Sequence, residues 1–484
     1  MIGSTSHFDR ALRCGLVGIA LLGPSCIMGV AAETSRRPNV VIILTDDQGT
    51  LDARCYGSQD LYTPAIDKIA ALGVRFTQAY AHSVCCPARA MLLTGRHPQR
   101  GNVNSWMQGS LYDPKGRNML LSEVTLAEVL KGAGYRTALF GKWHLGAHRD
   151  HGPTRQGFDE FFGFRDGFID NYVHYQLHRA GFHDLFRGTQ EVFRRGDYFP
   201  EMITDEALSF IARNQQRPFF LYFAINLPHY PEQALERFTR YYHELPEPRR
   251  SYAAAVSTAD DCVLRILTRL ESLKLLQDTI VVFMSDNGYS AEDYQIEVDG
   301  HASGYPRGHK YGANGGGGNT GRWLGAKGSF LEGGIRVPAL LSYPRRIPGG
   351  LVRHQAITAM DWFPTVLELC GLKPPPGVIL DGHSLLPIIQ DSHAPSPYGV
   401  MHWQWQKGWM VRDGDWKLIV NGSYGIGRPK LPDVYLANLS DNPPESVNHA
   451  AEHPEIVRRL RERHDQWVRE VTPPNLPETP ESLP

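Results

Sequence analysis

The stretch Asn39-Val40-Val41-Ile42-Ile43-Leu44-Thr45 carries an unbroken apolar run and then turns abruptly polar in Asp46-Asp47-Gln48-Gly49. A continuous β-branched run of this length is typical of a strand that is buried on both faces. Such strands belong to parallel sheets that are covered by helices on both sides. The stretch therefore predicts an α/β fold, with an acidic cluster at the carboxyl end of a buried strand.

Three further runs end in polar residues in the same way. They are residues 135–140 before Gly141-Lys142-Trp143-His144, residues 218–225 before Asn226-Leu227-Pro228-His229, and residues 279–285 before Asp286-Asn287-Gly288. Helical patterns between them, at residues 121–133 and 253–273, complete an alternation that predicts an α/β sandwich. In open α/β sheets ligands bind beyond the carboxyl ends of the strands, so the four polar clusters are expected to converge. The alternative, four separate solvated loops, is weakened by their shared polarity.

The acidic clusters indicate a site for a hard cation. Asp46, Asp47, Asp286 and Asn287 offer oxygen atoms as ligands. Oxygen-rich sites suit Ca²⁺ or Mg²⁺, whereas Zn²⁺ prefers histidine and cysteine. The plainer alternatives are a helix cap at the first pair and a turn at the second. We predict a calcium ion, with magnesium as the alternative.

The stretch Ser83-Val84-Cys85-Cys86-Pro87-Ala88-Arg89-Ala90-Met91-Leu92-Leu93-Thr94-Gly95 places two cysteines at a predicted helix start. Pro87 suits the first helical position, where its missing N–H costs nothing. Residues 88–93 are predicted to be helical, with Thr94-Gly95 as the stop. The free N–H groups and the dipole of a helix N-terminus favour an anion, and Arg89 adds a permanent positive charge. The alternative is a buried cysteine at an ordinary helix start.

This stretch resembles the signature of type I sulfatases, C-x-P-x-R followed by x-x-x-x-T-G, and matches it at every defined position. Residues 135–145 resemble the second family signature, 327–338 the lysine segment, and 381–387 the close of the large domain. Residues 416–419 and 433–435 resemble the C-terminal sheet. The resemblance implies an alkaline-phosphatase-like α/β/α sandwich with a large mixed, mostly parallel sheet. A smaller C-terminal α+β subdomain with an antiparallel sheet follows, and we expect domains at 36–390 and 391–484.

The resemblance also implies the chemistry of the site. A sulfatase hydrolyses sulfate esters, and a maturation enzyme oxidises the first signature cysteine, here Cys85, to formylglycine, which supplies the nucleophile. Counting from Cys86 would put Ala88 where the signature requires proline. By family correspondence, calcium is bound by Asp46, Asp47, Asp286, Asn287 and the modified Cys85, and the sulfate is surrounded by Arg89, Lys142, His144, His229 and Lys327. Fixed cations would stabilise the negative charge of the sulfate, and a proton donor would assist the leaving alcohol.

The segment 289–322 is predicted to select the substrate. It is a long glycine-rich loop between two site elements, and such loops are often functional. Its cations and aromatic rings suit a sulfated carbohydrate, with Arg307 and His309 as the expected contacts. The tryptophan-rich segment 402–409 invites the same interpretation, although one buried face of a strand explains it at least as well. The alternatives to a sulfatase that acts on a sulfated carbohydrate are a phosphonate monoester or phosphodiester hydrolase of the same superfamily, and an inactive carbohydrate-binding homologue.

Composition and the N-terminus limit the partners and the location. The 484 residues carry a formal net charge of −1, so there is no basic excess for nucleic acid. Arg10 and Arg13 precede an apolar segment that ends in Val30-Ala31-Ala32, which predicts a signal peptide at residues 1–32 and a periplasmic or secreted protein. A break at residues 23–25 leaves apolar pieces too short for stable membrane insertion. Lipid anchoring through Cys26 is the weaker alternative. The seven cysteines are too sparse for a disulfide framework, and we expect at most one bridge.

Overall fold

The computed structural model describes residues 37–105, 109–114, 117–178, 180–292, 295–297, 300–308, 310–312 and 315–473. The predicted signal peptide, with Cys14 and Cys26, lies outside the described residues. The cysteines within the described residues, Cys55, Cys85, Cys86, Cys262 and Cys370, form no disulfide there. A search of the described residues for a helix with the length and hydropathy of a membrane span finds none.

The described strands are β1 (Asn39–Asp46), β2 (Gly73–Tyr80), β3 (Arg136–Lys142), β4 (Glu160–Phe164), β5 (Tyr175–Gln176), β6 (Phe182–His183), β7 (Phe186–Arg187), β8 (Gln190–Glu191), β9 (Phe219–Pro228), β10 (Thr279–Ser285), β11 (Gln295–Glu297), β12 (Lys310–Gly312), β13 (Arg336–Ser342), β14 (Leu351–Thr358), β15 (Val400–Trp405), β16 (Gly408–Asp413), β17 (Trp416–Val420) and β18 (Val434–Asn438). The described α-helices are α1 (Pro64–Ala71), α2 (Cys85–Thr94), α3 (Leu126–Gly132), α4 (Phe199–Arg213), α5 (Glu236–Tyr241), α6 (Arg249–Ser272), α7 (Glu332–Ile335), α8 (Trp362–Leu369), α9 (Leu386–Gln390) and α10 (Pro454–Val471). Short 3₁₀ turns lie at Arg54–Tyr56, Pro98–Gly101, Arg149–His151, Pro153–Arg155, Leu276–Asp278 and Ala359–Asp361.

One large sheet holds ten strands in the order β14-β2-β13-β10-β1-β9-β3-β4-β7-β8. The neighbours β10, β1, β9, β3 and β4 run parallel, and antiparallel pairs flank them at β10–β13 and β4–β7. The four predicted strands are β1, β3, β9 and β10, which adjoin one another in this parallel centre. Their carboxyl ends therefore lie along the same edge of the sheet.

Helices cover both faces of the large sheet, which explains why β1 is apolar at consecutive positions. Val40, Ile42 and Leu44 pack in a cluster with residues of α2, α3 and α8. Val41 and Ile43 point to the other face and pack with residues of α1, α4 and α6. The predicted α/β sandwich is confirmed.

A second sheet joins β15, β16, β17 and β18 in sequential antiparallel order. One face packs on Phe330 and Leu331 through residues such as Trp403, and the other packs on Leu460 of α10. The expected C-terminal antiparallel sheet is thus confirmed, and residues 402–409 belong to the hairpin of β15 and β16. The domain boundary between residues 390 and 391 stays a prediction.

Candidate active site

The carboxylates of Asp46, Asp47 and Asp286 meet beyond the ends of β1 and β10. The two strands pair in parallel with Thr45 opposite Ser285, so both chains enter the site at the same level. Asp47 has a φ of 65°, which turns the chain immediately after the strand. Its backbone N–H donates to Asp286 Oδ1 at 3.2 Å. All three residues are at most 1% exposed.

Helix α2 places Cys85 against these carboxylates. The helix begins at Cys85, two residues before Pro87, the predicted first helical position, because Val84 is still extended at φ −145° and ψ 160°. It ends as predicted at Gly95, whose φ is 68°. The Cys85 thiol donates to Asp46 Oδ1 over 3.5 Å. Burial raises the pKa of this thiol above its usual range, so the unmodified side chain is a poor nucleophile near neutral pH.

Three buried cations neutralise the carboxylates. Arg89 donates to Asp286 Oδ2 through Nε at 3.1 Å and through Nη2 at 2.7 Å. Lys142, the last residue of β3, donates to Asp46 Oδ2 at 2.7 Å. Lys327 donates to Asp47 Oδ2 at 2.9 Å from the loop before α7. Arg89, Lys142 and Lys327 therefore lie in one cluster with the acids, although of the three only Lys142 ends a strand, whereas Arg89 comes from α2 and Lys327 from a loop.

Burial and these cations pull the carboxyl pKa values in opposite directions. Burial alone raises the pKa of Asp46, but the Lys142 ammonium and the other nearby cations outweigh it and hold that pKa well below its usual range. At Asp47, burial outweighs the Lys327 ammonium and raises the pKa to about 7. Burial and the neighbouring Asp46 charge also raise the pKa of Asp286. The cluster is therefore one in which additional positive charge would stabilise the ionised acids.

His229 lies at the same cluster, and His144 follows β3 two residues after Lys142. His229 Nδ1 lies 2.7 Å from the carbonyl oxygen of Tyr230, which can only accept, so this nitrogen carries the proton and donates. Its Nε2 is thereby directed toward Asp47, 3.6 Å from Oδ2. Burial, followed by the Lys327 charge, lowers the pKa of His229 well below its usual value. His144 is 5% exposed and its backbone N–H donates to Arg165 O at 3.1 Å, which fixes its position after β3.

Two carboxylates, a thiol and an imidazole lie close enough together to hold a divalent cation. Ligand atoms of Asp46, Asp47, Cys85 and His229 all lie within 4.8 Å of one another. Asn287 donates through Nδ2 to Asp47 Oδ1 at 2.6 Å, whereas its buried carbonyl Oδ1 has no hydrogen-bond partner in the described part of the chain. An unpartnered amide oxygen beside buried carboxylates is a ready ligand for Ca²⁺ or Mg²⁺.

The segment 289–322, which is predicted to select the substrate, is only partly described. Its residues 300–308 pack beside the segment around 170–180, where His301 Nε2 lies 3.0 Å from Gln176 O and Tyr305 donates to Asp170 Oδ1 at 3.4 Å. Arg307 lies on an exposed turn and is not buried with the cluster. His309 lies outside the described residues.

Three residues beside His229 and Lys327 were not predicted from the sequence, namely Phe168, Tyr230 and Glu292. Phe168 stacks on His229 with 5.4 Å between the ring centroids. Glu292 Oε2 lies 3.7 Å from Lys327 Nζ, and its Oε1 accepts from the Tyr230 hydroxyl at 3.5 Å. Tyr230 directly follows His229, which was predicted as a site residue. Its adjacency in sequence to His229 is the signal that could have identified Tyr230.

Comparisons with known proteins agree on one family. A family model described as Sulfatase matches residues 38–372. The chain is 35% identical over 386 residues to N-acetylgalactosamine-6-sulfatase of Rattus norvegicus, across 75% of this chain and 68% of that protein. It is 30% identical over 432 residues to steryl-sulfatase of Homo sapiens, across 74% of this chain and 70% of that protein. The crystal structure of Ps i-CgsB in complex with k-i-k-neocarrahexaose is similar with a TM-score of 0.74 at 26% identity, covering 89% of this chain and 93% of that chain.

Proposed function

Since the chain belongs to the sulfatase family of sulfuric ester hydrolases, we propose that it removes sulfate from a sulfated carbohydrate with Cys85 oxidised to formylglycine. The observation that carries the proposal is the place of Cys85, which lies at the N-terminus of α2 and 3.5 Å from Asp46. A buried thiol of raised pKa is a poor reagent by itself, so oxidation gives this position a chemical role that the thiol lacks. The hydrated aldehyde would supply the nucleophilic oxygen.

We propose that Asp46, Asp47, Asp286, Asn287 and the modified Cys85 hold one calcium ion, with magnesium as the alternative. The unpartnered Asn287 Oδ1 supports this assignment, because a buried amide oxygen without a partner is costly unless it binds something. When bound, the ion would polarise the sulfate and lower the pKa of the attacking hydroxyl. It would also compete with Lys142 and Lys327 for the carboxylates they now contact.

The surrounding side chains divide the work on the sulfate. The guanidinium of Arg89 and the ammonium of Lys142 would stabilise the charge on the non-bridging oxygens. His144 would assist at the nucleophile. His229 or Lys327 would protonate the leaving alcohol: Lys327 carries its protons as an ammonium, whereas the bare Nε2 of His229 would first have to take up a proton.

The substrate class is proposed from the relatives and from the loop. The similar proteins include an N-acetylgalactosamine-6-sulfatase and a protein solved in complex with k-i-k-neocarrahexaose. We propose that Arg307 and His309 contact the sugar beyond the sulfate. We also propose export through the N-terminal signal peptide and maturation by a formylglycine-generating enzyme.

Mass spectrometry and turnover test the proposal together. The chain is produced with and without a formylglycine-generating enzyme, and the tryptic peptide of residues 76–89, which contains both cysteines, is sequenced. Conversion is expected at Cys85, with activity on members of a panel of sulfated oligosaccharides and stoichiometric calcium by elemental analysis. Cys85→Ala should be inactive, whereas Cys86→Ser is the matched control that retains conversion.

Three results would contradict the proposal. Conversion found only at Cys86 would overturn the nucleophile, and stoichiometric zinc without calcium or magnesium would overturn the metal. Faster turnover of phosphonate monoesters or phosphodiesters than of every sulfate ester would favour the alternative hydrolase.

A further inference from the structure

A cleft of about 340 Å³ adjoins the active site on the side of the C-terminal sheet. Its wall includes Gly328, Trp405, Lys407, Ser423 and Lys430. The cleft opens between the β15–β16 hairpin and the connection from β17 to β18, and neither segment belongs to the cluster around Cys85.

The cleft and the active site share one wall. Gly328 lines the cleft and directly follows Lys327, whose ammonium contacts Asp47. Gly328 donates its N–H to Ser83 O at 2.7 Å, and Lys327 O accepts from the N–H of Ile426 at 2.8 Å. Because consecutive Cα atoms are about 3.8 Å apart, the cleft begins within one residue of the active-site lysine. The cleft and the active site are therefore neighbours at Lys327 and Gly328.

The positions of the two cleft lysines are set by the backbone. Trp405 pairs with Gly408 across the hairpin, so Lys407 occupies a tight turn, and its carbonyl accepts from Asn421 Nδ2 at 3.2 Å. Lys430 is placed by an antiparallel bridge to Ser423. Both lysine side chains are exposed at the mouth of the cleft.

The positive charge of the cleft favours binding of an anion. Its lining contains two lysines and no acidic residue. Within the described ranges, no carboxylate lies at ion-pair distance from either Lys407 or Lys430. The half-buried Trp405 beside them offers an aromatic surface, on which a sugar ring can pack.

We propose that this cleft is a second binding subsite, which takes a sugar carrying a further sulfate or carboxylate on the same glycan. Lys407 and Lys430 bind the anionic group and Trp405 packs on its sugar. The inference rests on the proposed function, since it assumes that the ester at Cys85 belongs to a carbohydrate. It adds residues that recognise the neighbouring sugar and that lie outside the loop bearing Arg307.

The test compares three oligosaccharides that carry an accepted sulfate ester. The neighbouring sugar bears a second sulfate, a uronate carboxylate, or hydroxyl groups only, and a nitrophenyl sulfate serves as the small substrate. In the Lys407→Met/Lys430→Met variant, KM for at least one anionic oligosaccharide should rise about tenfold while kcat stays within about twofold, because bonds to charged groups are lost far from the reacting atoms. Comparison of the oligosaccharide with a second sulfate and the one with a uronate carboxylate shows whether the cleft binds sulfate, carboxylate or both.

The controls separate this inference from the proposed function. Lys373→Met removes an exposed lysine elsewhere and should leave all constants unchanged. Calorimetric binding of the same oligosaccharides to Cys85→Ala protein, with and without the lysine substitutions, gives a readout that does not need turnover. Wild-type protein that is converted at Cys85 yet desulfates nothing would refute the proposed function. Unchanged binding of both anionic oligosaccharides, or an equal loss on the neutral one, would refute the subsite.

Discussion

At the scale of single residues, the site is a balance of buried charges. Arg89, Lys142 and Lys327 each contact a different carboxylate, at 2.7, 2.7 and 2.9 Å. A divalent cation placed among the same carboxylates would free two ammonium groups to meet an anionic substrate. The cations that we propose for sulfate and the acids that we propose for the metal are therefore one coupled set, and we expect neither group to tolerate substitution alone.

The orientation of His229 leads to a prediction about the leaving group. His229→Ala removes the Nε2 that lies 3.6 Å from Asp47, and we expect turnover of a sugar sulfate to fall about 10²–10⁴-fold. Nitrophenyl sulfate needs little protonation of its leaving group, so its turnover should fall much less. Steady-state kinetics on both esters measure the difference. The surface variant His243→Ala is the control, and equal losses on both esters for His229→Ala would argue against the role.

At the scale of elements, α10 is held on the C-terminal sheet by stacked aromatic rings. His464 stacks on Trp409 at 3.9 Å between ring centroids, and Trp467 stacks on His402 at 5.1 Å. Burial lowers the pKa of His464 to about 4 and that of His402 to about 3. The helix therefore depends on two imidazole rings that remain neutral.

These neutral rings predict a loss of stability in acid. Unfolded histidines titrate near 6.5, so above that pH both states bind the same number of protons at these rings. Below it the unfolded chain binds protons first, and the free energy of unfolding should fall as the pH drops from about 6.5 to about 4. Urea midpoints measured across this range should decline. His464→Phe should flatten the decline, the exposed His243→Phe should not, and identical slopes in all three proteins would contradict the assignment.

The strands that the sequence predicted share one property, burial on both faces. β1, β3, β9 and β10 read as continuous apolar runs, and their bounds in the structure lie close to the predicted ones. β2 alternates polar and apolar residues and pairs with β13 and β14, far along the chain, so its partners had no local signal. Two-residue strands such as β7 carry too few residues for any periodicity.

The site residues at strand ends were predicted from the same apolar runs. Site residues that do not follow a strand carried no such signal. Asp46, Lys142 and Asp286 lie at strand ends and converge because parallel strands share an edge. Lys327 ends no strand, and only the family resemblance pointed to it. Glu292 approaches Lys327 from a loop, and loop conformation is set by contacts that are distant in sequence.

At the scale of the whole molecule, a buried ionic cluster joins the two sheets. Lys417 of β17 donates to Glu332 Oε1 at 2.9 Å and to Glu445 Oε1 at 2.8 Å. Tyr80 of β2 donates to Glu332 Oε2 at 2.8 Å. Glu332 begins α7, close to the loop that bears Lys327, so the cluster connects the C-terminal sheet to the active site.

Removing the shared ammonium should therefore affect the molecule as a whole. Lys417→Met leaves buried Glu445 without its cation and Glu332 with Arg336 alone, and we expect it to destabilise the fold by about 3–5 kcal/mol. Urea unfolding measures the loss, and the exposed Lys373→Met provides the baseline. An unchanged midpoint would mean that the two sheets are joined by apolar packing alone.

The burial of Cys85 limits the time during which this residue is accessible to an enzyme in a newly synthesised chain. The residue is 3% exposed in the finished fold, so an enzyme that oxidises it must arrive before the sheet assembles. Roughly 200 residues separate Cys85 from the end of β10, whose following residue, Asp286, completes the site. At about 5–20 residues per second, synthesis of that length takes about 10–40 seconds. If Cys85 is oxidised as we propose, oxidation competes with folding, and a chain that folds first would be a correctly folded protein with an unreactive thiol in its active site.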